Sequence, residues 1–245
     1  MRILTLTILS LVLPLSLAAE EEAPPNVVFI LADDLGYGDI GCYGCPDAKT
    51  PHIDRLAREG VRFTNFYANG AECTPTRVAI MTGRHPQRAG GLECAIGTGN
   101  VGRYDDAIRL AAMGQLGLPP EQSLIPKVFK DAGYQAGIFG KWHLGYEPHF
   151  NPLRYGWDRF FGCLGGNVDY FKHTELSPLA VLYRDDKAIE REGYMTHLIT
   201  KEALAFIAEN RSKPFFCYIP FTSPHFPFQT PGDRDKRFDE SNWTK

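Results

Sequence analysis

Short apolar runs along the chain have the length and composition of buried β-strands. Residues 26–32 (N-V-V-F-I-L-A) form a continuous apolar run, as expected of a strand covered on both faces, and residues 214–221 (P-F-F-C-Y-I-P-F) form another. Residues 61–67 and 134–139 are two further strand candidates. The pattern therefore predicts at least four strands.

Helical signals lie between these strand candidates. The first helix is opened by Thr50-Pro51 and closed by Gly60, and the second has Pro75 in its first turn and Gly83 at its end. The predicted helices are residues 52–59, 75–81, 124–132 and 194–210. Alternating strands and helices predict an α/β fold with a mostly parallel sheet sandwiched by helices.

Two long segments lack a regular period. Residues 84–122 contain many glycines and predict a long loop region, and residues 150–191 predict a turn-rich, aromatic region.

Polar side chains directly follow three of the strand candidates. Asp33 and Asp34 follow the first, Lys141 and His143 follow the strand that ends at residue 139, and His225 follows the last. Ligand sites in parallel α/β sheets gather at the carboxyl ends of the strands. We therefore expect an active site at this edge of the sheet.

Composition and charge narrow the class of protein. The chain has 245 residues, of which 44% are hydrophobic and 22% charged, and this is ordinary globular composition. The net charge of −3, without a basic stripe or an acidic tail, argues against nucleic acid as a partner.

Residues 1–19 have the pattern of a secretory signal peptide. Arg2 precedes an apolar run, and small residues follow near Ala18 and Ala19. The run is too short for a comfortable membrane span, so we expect no stable membrane anchor, although a retained anchor is the alternative. The sequence predicts an exported protein, periplasmic or secreted, whose mature domain is residues 20–245.

Six cysteines are compatible with an oxidising compartment, but their spacing does not give a disulfide pairing. Cys42 and Cys45 form a C-x-x-C pair. With no second such pair, a local disulfide or two unremarkable thiols is a better interpretation than a redox or metal site.

The segment from Cys73 to Arg77 (C-T-P-T-R) is the most specific local feature. Pro75 presets a first helical turn, so Cys73 is expected at or near a helix N-terminus, where unpaired N–H groups and the helix dipole favour an anion. Arg77 lies one turn further on the same face and can offer a fork of donors. The alternative is a buried cysteine at a helix cap, with Arg77 in a surface ion pair.

The motif C-x-P-x-R, with T-G-R at residues 82–84, resembles the signature of type I sulfatases. Further blocks follow in the family's order: residues 31–39 (L-A-D-D-L-G-Y-G-D), 50–57, 140–145 (G-K-W-H-L-G) and 223–225 (S-P-H). The resemblance implies an alkaline-phosphatase-like fold that is incomplete at its C-terminus. It also implies hydrolysis of sulfate esters in a sulfated small molecule or polysaccharide, and a maturation enzyme that oxidises Cys73 to formylglycine.

The resemblance implies a nucleophilic mechanism at residue 73. Hydrated formylglycine attacks sulfur with one hydroxyl and expels the alcohol, and loss of the second proton then releases sulfate and restores the aldehyde. An unmodified Ser or Cys could accept the sulfuryl group but lacks this exit.

Asp33 and Asp34 are candidate metal ligands, together with residue 73. Adjacent carboxylates repel each other unless a cation lies between them, and oxygen ligands suit Ca²⁺ or Mg²⁺. The resemblance favours Ca²⁺, with Mg²⁺ as the alternative. Two loop acids, one of them capping a turn, remain the other interpretation.

Lys141, His143 and His225 are the candidate basic groups. The i, i+2 spacing of Lys141 and His143 places them on one side of an extended segment, and in the family pattern they bind the sulfate and the diol. The resemblance makes His225 the donor of a proton to the leaving oxygen. The alternatives are a solvated lysine, a packed histidine and an exposed loop histidine.

The chain departs from the family in its length. An Asp-Asn pair and a further lysine that family members carry are missing here, so we expect a fragment with weak metal binding and little activity on its own. The competing functions are a phosphate or phosphonate ester hydrolase of the same superfamily and a non-catalytic protein that binds sulfated glycans.

Overall fold

A computed structural model describes residues 23–89, 92–97, 105–120, 124–175 and 181–234. The predicted signal peptide at residues 1–19 lies outside the described residues. Among the helices of the described ranges, none combines the length and apolarity required for a membrane crossing.

One sheet of six strands organises the domain. Its spatial order is β1-β6-β2-β3-β4-β5, in which the first four are parallel and the last two pair antiparallel at one edge. The strands are β1 (Val27–Leu31), β2 (Gln135–Lys141), β3 (Arg159–Cys163), β4 (Leu182–Arg184), β5 (Lys187–Ala188) and β6 (Phe215–Pro220). The predicted mostly parallel sheet is confirmed.

The helices of the described residues are short, apart from the last. They are α1 (Pro51–Glu59), α2 (Cys73–Thr82), α3 (Asp105–Ala112), α4 (Ile125–Asp131) and α5 (Met195–Glu209). The four predicted helices correspond to α1, α2, α4 and α5 within two residues at every end.

Hydrophobic clusters cover both faces of the sheet, as the predicted sandwich requires. On one face, Val78 and Met81 of α2 join Ile138 of β2 and Phe216 of β6 in a buried cluster. On the other face, Phe206 of α5 belongs to a second cluster with residues from β2, β3 and β6. Burial of each large apolar side chain contributes about 1.5–3 kcal/mol, so these clusters fix the helices against the sheet.

The middle of the sheet is packed too closely for a side chain at Gly140. A Cβ atom there would lie 1.9 Å from the Pro220 carbonyl oxygen, and Gly140 has a φ of +137°. Glycine alone tolerates this combination. The close approach brings the ends of β2 and β6 together, and with them Lys141 and the segment that carries His225.

Three predictions of secondary structure were wrong. Residues 61–67 form no strand, and Phe63, Phe66 and Tyr67 are exposed because no neighbouring strand pairs with this segment in the described structure. The predicted loop region 84–122 contains α3, whose amphipathic pattern covers only eight residues. The turn-rich region 150–191 contains β3, β4 and β5, which have five, three and two residues.

Asp54 ties α1 to the loop that follows β1. Its Oδ1 atom accepts hydrogen bonds from the Cys42 N–H at 2.7 Å and the Thr50 hydroxyl at 3.0 Å. We expect Asp54→Ala to lower the free energy of unfolding by about 1–2 kcal/mol, because an N–H donor loses its acceptor. Urea denaturation measures this, with the exposed Asp47→Ala as control. Equal stabilities of the two variants would contradict it.

Candidate active site

Cys73 is the first residue of α2, as the proline pattern predicted. The preceding residue, Glu72, provides no side-chain cap, because its carboxylate accepts the Ala95 N–H at 2.6 Å. The first turn of α2 therefore presents its N–H groups beside the Cys73 side chain, with the positive end of the helix dipole. Cys73 is partly exposed, so solvent can reach its sulfur atom.

Lys141 joins the cysteine to the first acidic residue. Its Nζ atom lies 2.6 Å from Asp33 Oδ2 and 3.2 Å from Cys73 Sγ. The Lys141 side chain is completely buried at the end of β2. The alternative of a solvated lysine is therefore wrong.

Arg77 holds the same carboxylate from the other side. Its Nη2 atom donates to Asp33 Oδ1 at 3.1 Å, and its Nη1 atom donates to the Lys141 carbonyl oxygen at 2.6 Å. Arg77 is 2% exposed, so the alternative of a surface ion pair is also wrong. Two donors of the guanidinium fork thus hold Asp33 and the end of β2.

The two cations decide the charge state of Asp33. Burial alone would raise the pKa of the carboxyl group, but the charges of Arg77 and Lys141 hold that pKa below its ordinary value. The cluster of one carboxylate and two buried cations has a net charge of +1, which favours binding of an anion nearby.

His143 is buried next to this ion cluster. Its backbone lies in the left-handed region, with a φ of 57°, so the segment is not extended as predicted. Its Nε2 atom contacts the Ile96 carbonyl oxygen, and its Nδ1 atom has no hydrogen-bond partner within the described ranges. Burial, with the charges of Lys141 and Arg77, lowers the pKa of His143 well below its usual value, so the ring is neutral.

Thr74 positions the backbone around His143. Its hydroxyl donates to the His143 carbonyl oxygen at 3.1 Å and accepts the Ile96 N–H at 3.2 Å. Sequence reasoning missed this residue, although its place inside C-T-P-T-R was an available signal.

His225 reaches the site from the segment after β6. Its Nε2 atom lies 3.5 Å from Asp34 Oδ2, and one of its ring nitrogens lies within 4.8 Å of the Cys73 sulfur. The nearby Cys73 side chain raises the pKa of His225 above its ordinary value, against the effect of burial. Burial would raise the pKa of the Cys73 thiol, but the nearby His225 side chain and the charge of Lys141 lower it overall. The side chain of His225 is only 15% exposed, unlike an ordinary loop histidine.

The described residues fit a divalent cation such as Ca²⁺ only in part, because their oxygen donors are the carboxylates of Asp33 and Asp34. One donor atom from each of Asp33, Cys73 and His225 lies within 4.8 Å of the others, and the Asp34 carboxylate adjoins His225. Both Asp33 oxygens are already paired with Lys141 and Arg77. Ca²⁺ takes six to eight oxygen ligands, so these residues could supply only part of its shell.

A cavity of about 590 Å³ opens onto the candidate residues. Asp33, Asp34, Cys73 and Arg77 line one part of it, and much of the rest is lined by the segment 66–72 and by apolar side chains from β1 and α2. Asp33, Asp34 and Cys73, the predicted acids and the predicted nucleophile, therefore line the same cavity.

This arrangement defines an α/β protein with a positively charged cluster at the carboxyl edge of its sheet. A helix N-terminus, two buried cations and a partly exposed cysteine converge there. Comparison with known proteins gives the family. The model of the family described as Sulfatase matches residues 25–244, and the chain belongs to the sulfatase family.

Curated relatives are sulfatases too. The chain is 38% identical over 228 residues to an N-acetylgalactosamine-6-sulfatase of Rattus norvegicus, which covers 86% of this chain and 41% of that protein. It is 43% identical over 155 residues to arylsulfatase A of Homo sapiens, which covers 62% of this chain and 28% of that protein. The chain thus spans about two fifths, or less, of the length of these relatives.

Solved structures confirm the fold. The crystal structure of Ps i-CgsB has a TM-score of 0.73 and 32% identity, and the match covers 85% of this chain and 47% of that one. A structure of BT4656 with its substrate D-glucosamine-2-N,6-O-disulfate has a TM-score of 0.64 and 29% identity, covering 84% and 35% of the two chains.

Proposed function

We propose that the chain provides the nucleophile and the anion-binding half of a sulfate ester hydrolase. The observation that carries the proposal is the position of Cys73, at the start of α2, with its sulfur 3.2 Å from the Lys141 ammonium. Membership of the sulfatase family supports the reaction class.

Residue 73 acts as formylglycine in this proposal. A hydroxyl of the hydrated aldehyde attacks sulfur, the S–O bond to the alcohol breaks, and loss of a proton from the second hydroxyl then releases sulfate and restores the aldehyde. A divalent cation, with Ca²⁺ ahead of Mg²⁺, would supply Lewis-acid chemistry and be held by Asp33 and Asp34.

The other candidate residues bind the ester and move protons. Lys141 and the N–H groups of α2 neutralise the charge of the sulfate, and Arg77 holds Asp33 in place. His143 is neutral, and we assign its Nδ1 atom, which has no hydrogen-bond partner within the described residues, to a hydroxyl of residue 73. His225, whose raised pKa favours the protonated form, donates a proton to the leaving oxygen.

The substrate is proposed by class alone, as a sulfated sugar or small molecule. The N-acetylgalactosamine-6-sulfatase and the complex with a disulfated glucosamine support a sulfated glycan. Export through residues 1–19 stays a prediction, and it would place the protein where such glycans occur.

The proposal is tested in two measurements. The chain is coexpressed with a formylglycine-generating enzyme, and the mass of the peptide that contains residue 73 is measured by mass spectrometry. We expect a loss of about 18 Da, from exchange of sulfur for oxygen and loss of two hydrogens. Turnover of an aryl sulfate is then compared with that of an aryl phosphate, using the full reading frame that encodes this chain.

Each outcome of these measurements has one meaning. Conversion with preferred turnover of the sulfate supports the proposal. Preferred turnover of the phosphate would assign the phosphate ester hydrolase instead. An unconverted Cys73, with binding of sulfated glycans and no turnover, would assign the binding protein.

A further inference from the structure

One buried hydroxyl group contacts both ends of the turn that carries His225, in addition to the Asp33 N–H, which donates to the Ser223 carbonyl oxygen at 3.0 Å. Tyr170 is 1% exposed, and its hydroxyl oxygen lies 2.9 Å from the Thr222 carbonyl oxygen and 2.8 Å from the His225 carbonyl oxygen. A phenol has a single proton to donate, so the two carbonyl groups share it. One side chain thus fixes both ends of the turn that presents the imidazole.

Further hydrogen bonds fix the end of the same segment. The side-chain oxygen of Gln229 accepts the Tyr170 N–H at 2.8 Å, and its amide donates to Asp169 Oδ2 at 2.9 Å. The Tyr194 hydroxyl donates to the Gln229 carbonyl oxygen at 2.8 Å. We call the set of Asp169, Tyr170, Tyr194 and Gln229 the Tyr170 anchor.

Tyr170 is itself held in place by α5. Its carbonyl oxygen accepts the N–H of Met195, the first residue of α5, at 2.7 Å. Its ring stacks on Tyr194 with centroids 5.4 Å apart. The anchor therefore connects the segment to a long helix that is packed on the sheet.

His225 depends on this connection for its position. Its Nδ1 atom contacts the carbonyl oxygen of Phe226, which belongs to the same segment and gives no tie to the sheet. One of its ring nitrogens lies within 4.8 Å of the Cys73 sulfur, and its Nε2 atom lies 3.5 Å from the carboxylate of Asp34, whose side chain is 61% exposed. The Asp33 N–H holds the turn at Ser223, so loss of the Tyr170 hydroxyl would loosen the His225 end of the turn, from which the imidazole projects.

We propose that Tyr170 is a positioning residue for His225, which it directs toward the leaving oxygen through the backbone carbonyl groups at residues 222 and 225. The inference rests on the proposed function, in which His225 protonates that oxygen. Tyr170 acts through His225 and touches no reacting atom.

Hydrogen exchange tests the anchor without any need for turnover. Tyr170→Phe removes the hydroxyl alone, and amide exchange in residues 222–229 should rise about tenfold, which corresponds to the loss of about one hydrogen bond. The control is Tyr183→Phe, at a partly buried tyrosine on β4. Unchanged exchange in this segment, or an equal rise in the control, would overturn the proposal.

Kinetics test whether the anchor serves His225. In the formylglycine-containing protein expressed from the full reading frame, Tyr170→Phe should lower kcat about tenfold for an alkyl sulfate, which needs protonation of its leaving group. The loss should be much smaller for 4-nitrophenyl sulfate, and KM should be unchanged. In a His225→Ala background, Tyr170→Phe should add no further loss. Equal losses for both esters, or additive losses, would contradict positioning. Absence of turnover by the unmutated protein would refute the proposed function. The hydrogen-exchange result would then show only whether Tyr170 holds the segment that carries His225.

Discussion

Replacing Cys73 with alanine should abolish hydrolysis of sulfate esters and lower kcat/KM by at least about 10³-fold, as removal of a covalent nucleophile does. Alanine offers neither a sulfur atom for oxidation nor a hydroxyl group for attack. The rest of the site keeps its structure, because Lys141 retains Asp33 as its partner. The measurement is steady-state turnover of an aryl sulfate by the protein expressed from the full reading frame together with the maturation enzyme.

Two further variants distinguish loss of the nucleophile from loss of a thiol group in general. Cys42→Ala removes another partly buried thiol, far along the chain, and should leave turnover unchanged. Cys73→Ser, expressed without a maturation enzyme, should accept one sulfuryl group and stop, with a mass gain of about 80 Da, because a serine ester has no second hydroxyl to expel sulfate. Sustained turnover by Cys73→Ala would exclude residue 73 as the nucleophile.

The parallel part of the sheet could be predicted from its continuous apolar runs. The expectation that the first strand is covered on both faces was wrong, because β1 is an edge strand in which Val28 and Ile30 are 46% and 55% exposed, whereas β6 is buried throughout. The apolar run at residues 26–32 corresponds to β1, and the run at residues 214–221 to β6. Since parallel strands end at one edge, the polar residues after them could also be predicted to meet. The sulfur of Cys73, 68 residues from Lys141 in sequence, lies within hydrogen-bond distance of its ammonium.

The antiparallel edge could not be predicted because its strands are too short to show a period. Strand β4 has three residues and β5 has two, so their sequence has the pattern of a turn-rich region. Residues 61–67 show the opposite error. Their β-branched and aromatic residues favour a strand, but strand structure needs a partner, and their side chains are mostly exposed here.

The sequence could predict which residues belong to the site, but it could not predict which of them contact each other. The spacing in C-T-P-T-R placed Arg77 on the face of Cys73, yet whether its fork would meet a substrate or Asp33 depends on the distance between α2 and β1. Tyr170 gave no signal at all, because it acts through carbonyl groups that every residue carries. Contacts of this kind follow from the tertiary structure alone.

Asp33→Asn should cost about 3–5 kcal/mol of unfolding free energy, the usual effect of removing one partner from a buried ion pair. The carboxylate lies between the Lys141 ammonium, at 2.6 Å, and the Arg77 guanidinium, at 3.1 Å. Asparagine leaves these two cations buried without a counter-charge, and water cannot replace it, since the side chains of Lys141 and Arg77 are 0% and 3% exposed. Chemical denaturation of the purified chain measures the loss.

Asp34→Asn is the matched control, because it makes the same chemical change at the next residue on a side chain that is 61% exposed. It should change stability by less than about 0.5 kcal/mol. The double variant Asp33→Asn, Lys141→Met should recover part of the loss, since one of the uncompensated charges is gone and the two effects are coupled. Equal losses for Asp33→Asn and Asp34→Asn would show that the two cations do not depend on Asp33. The net charge assigned to the anion site would then be wrong.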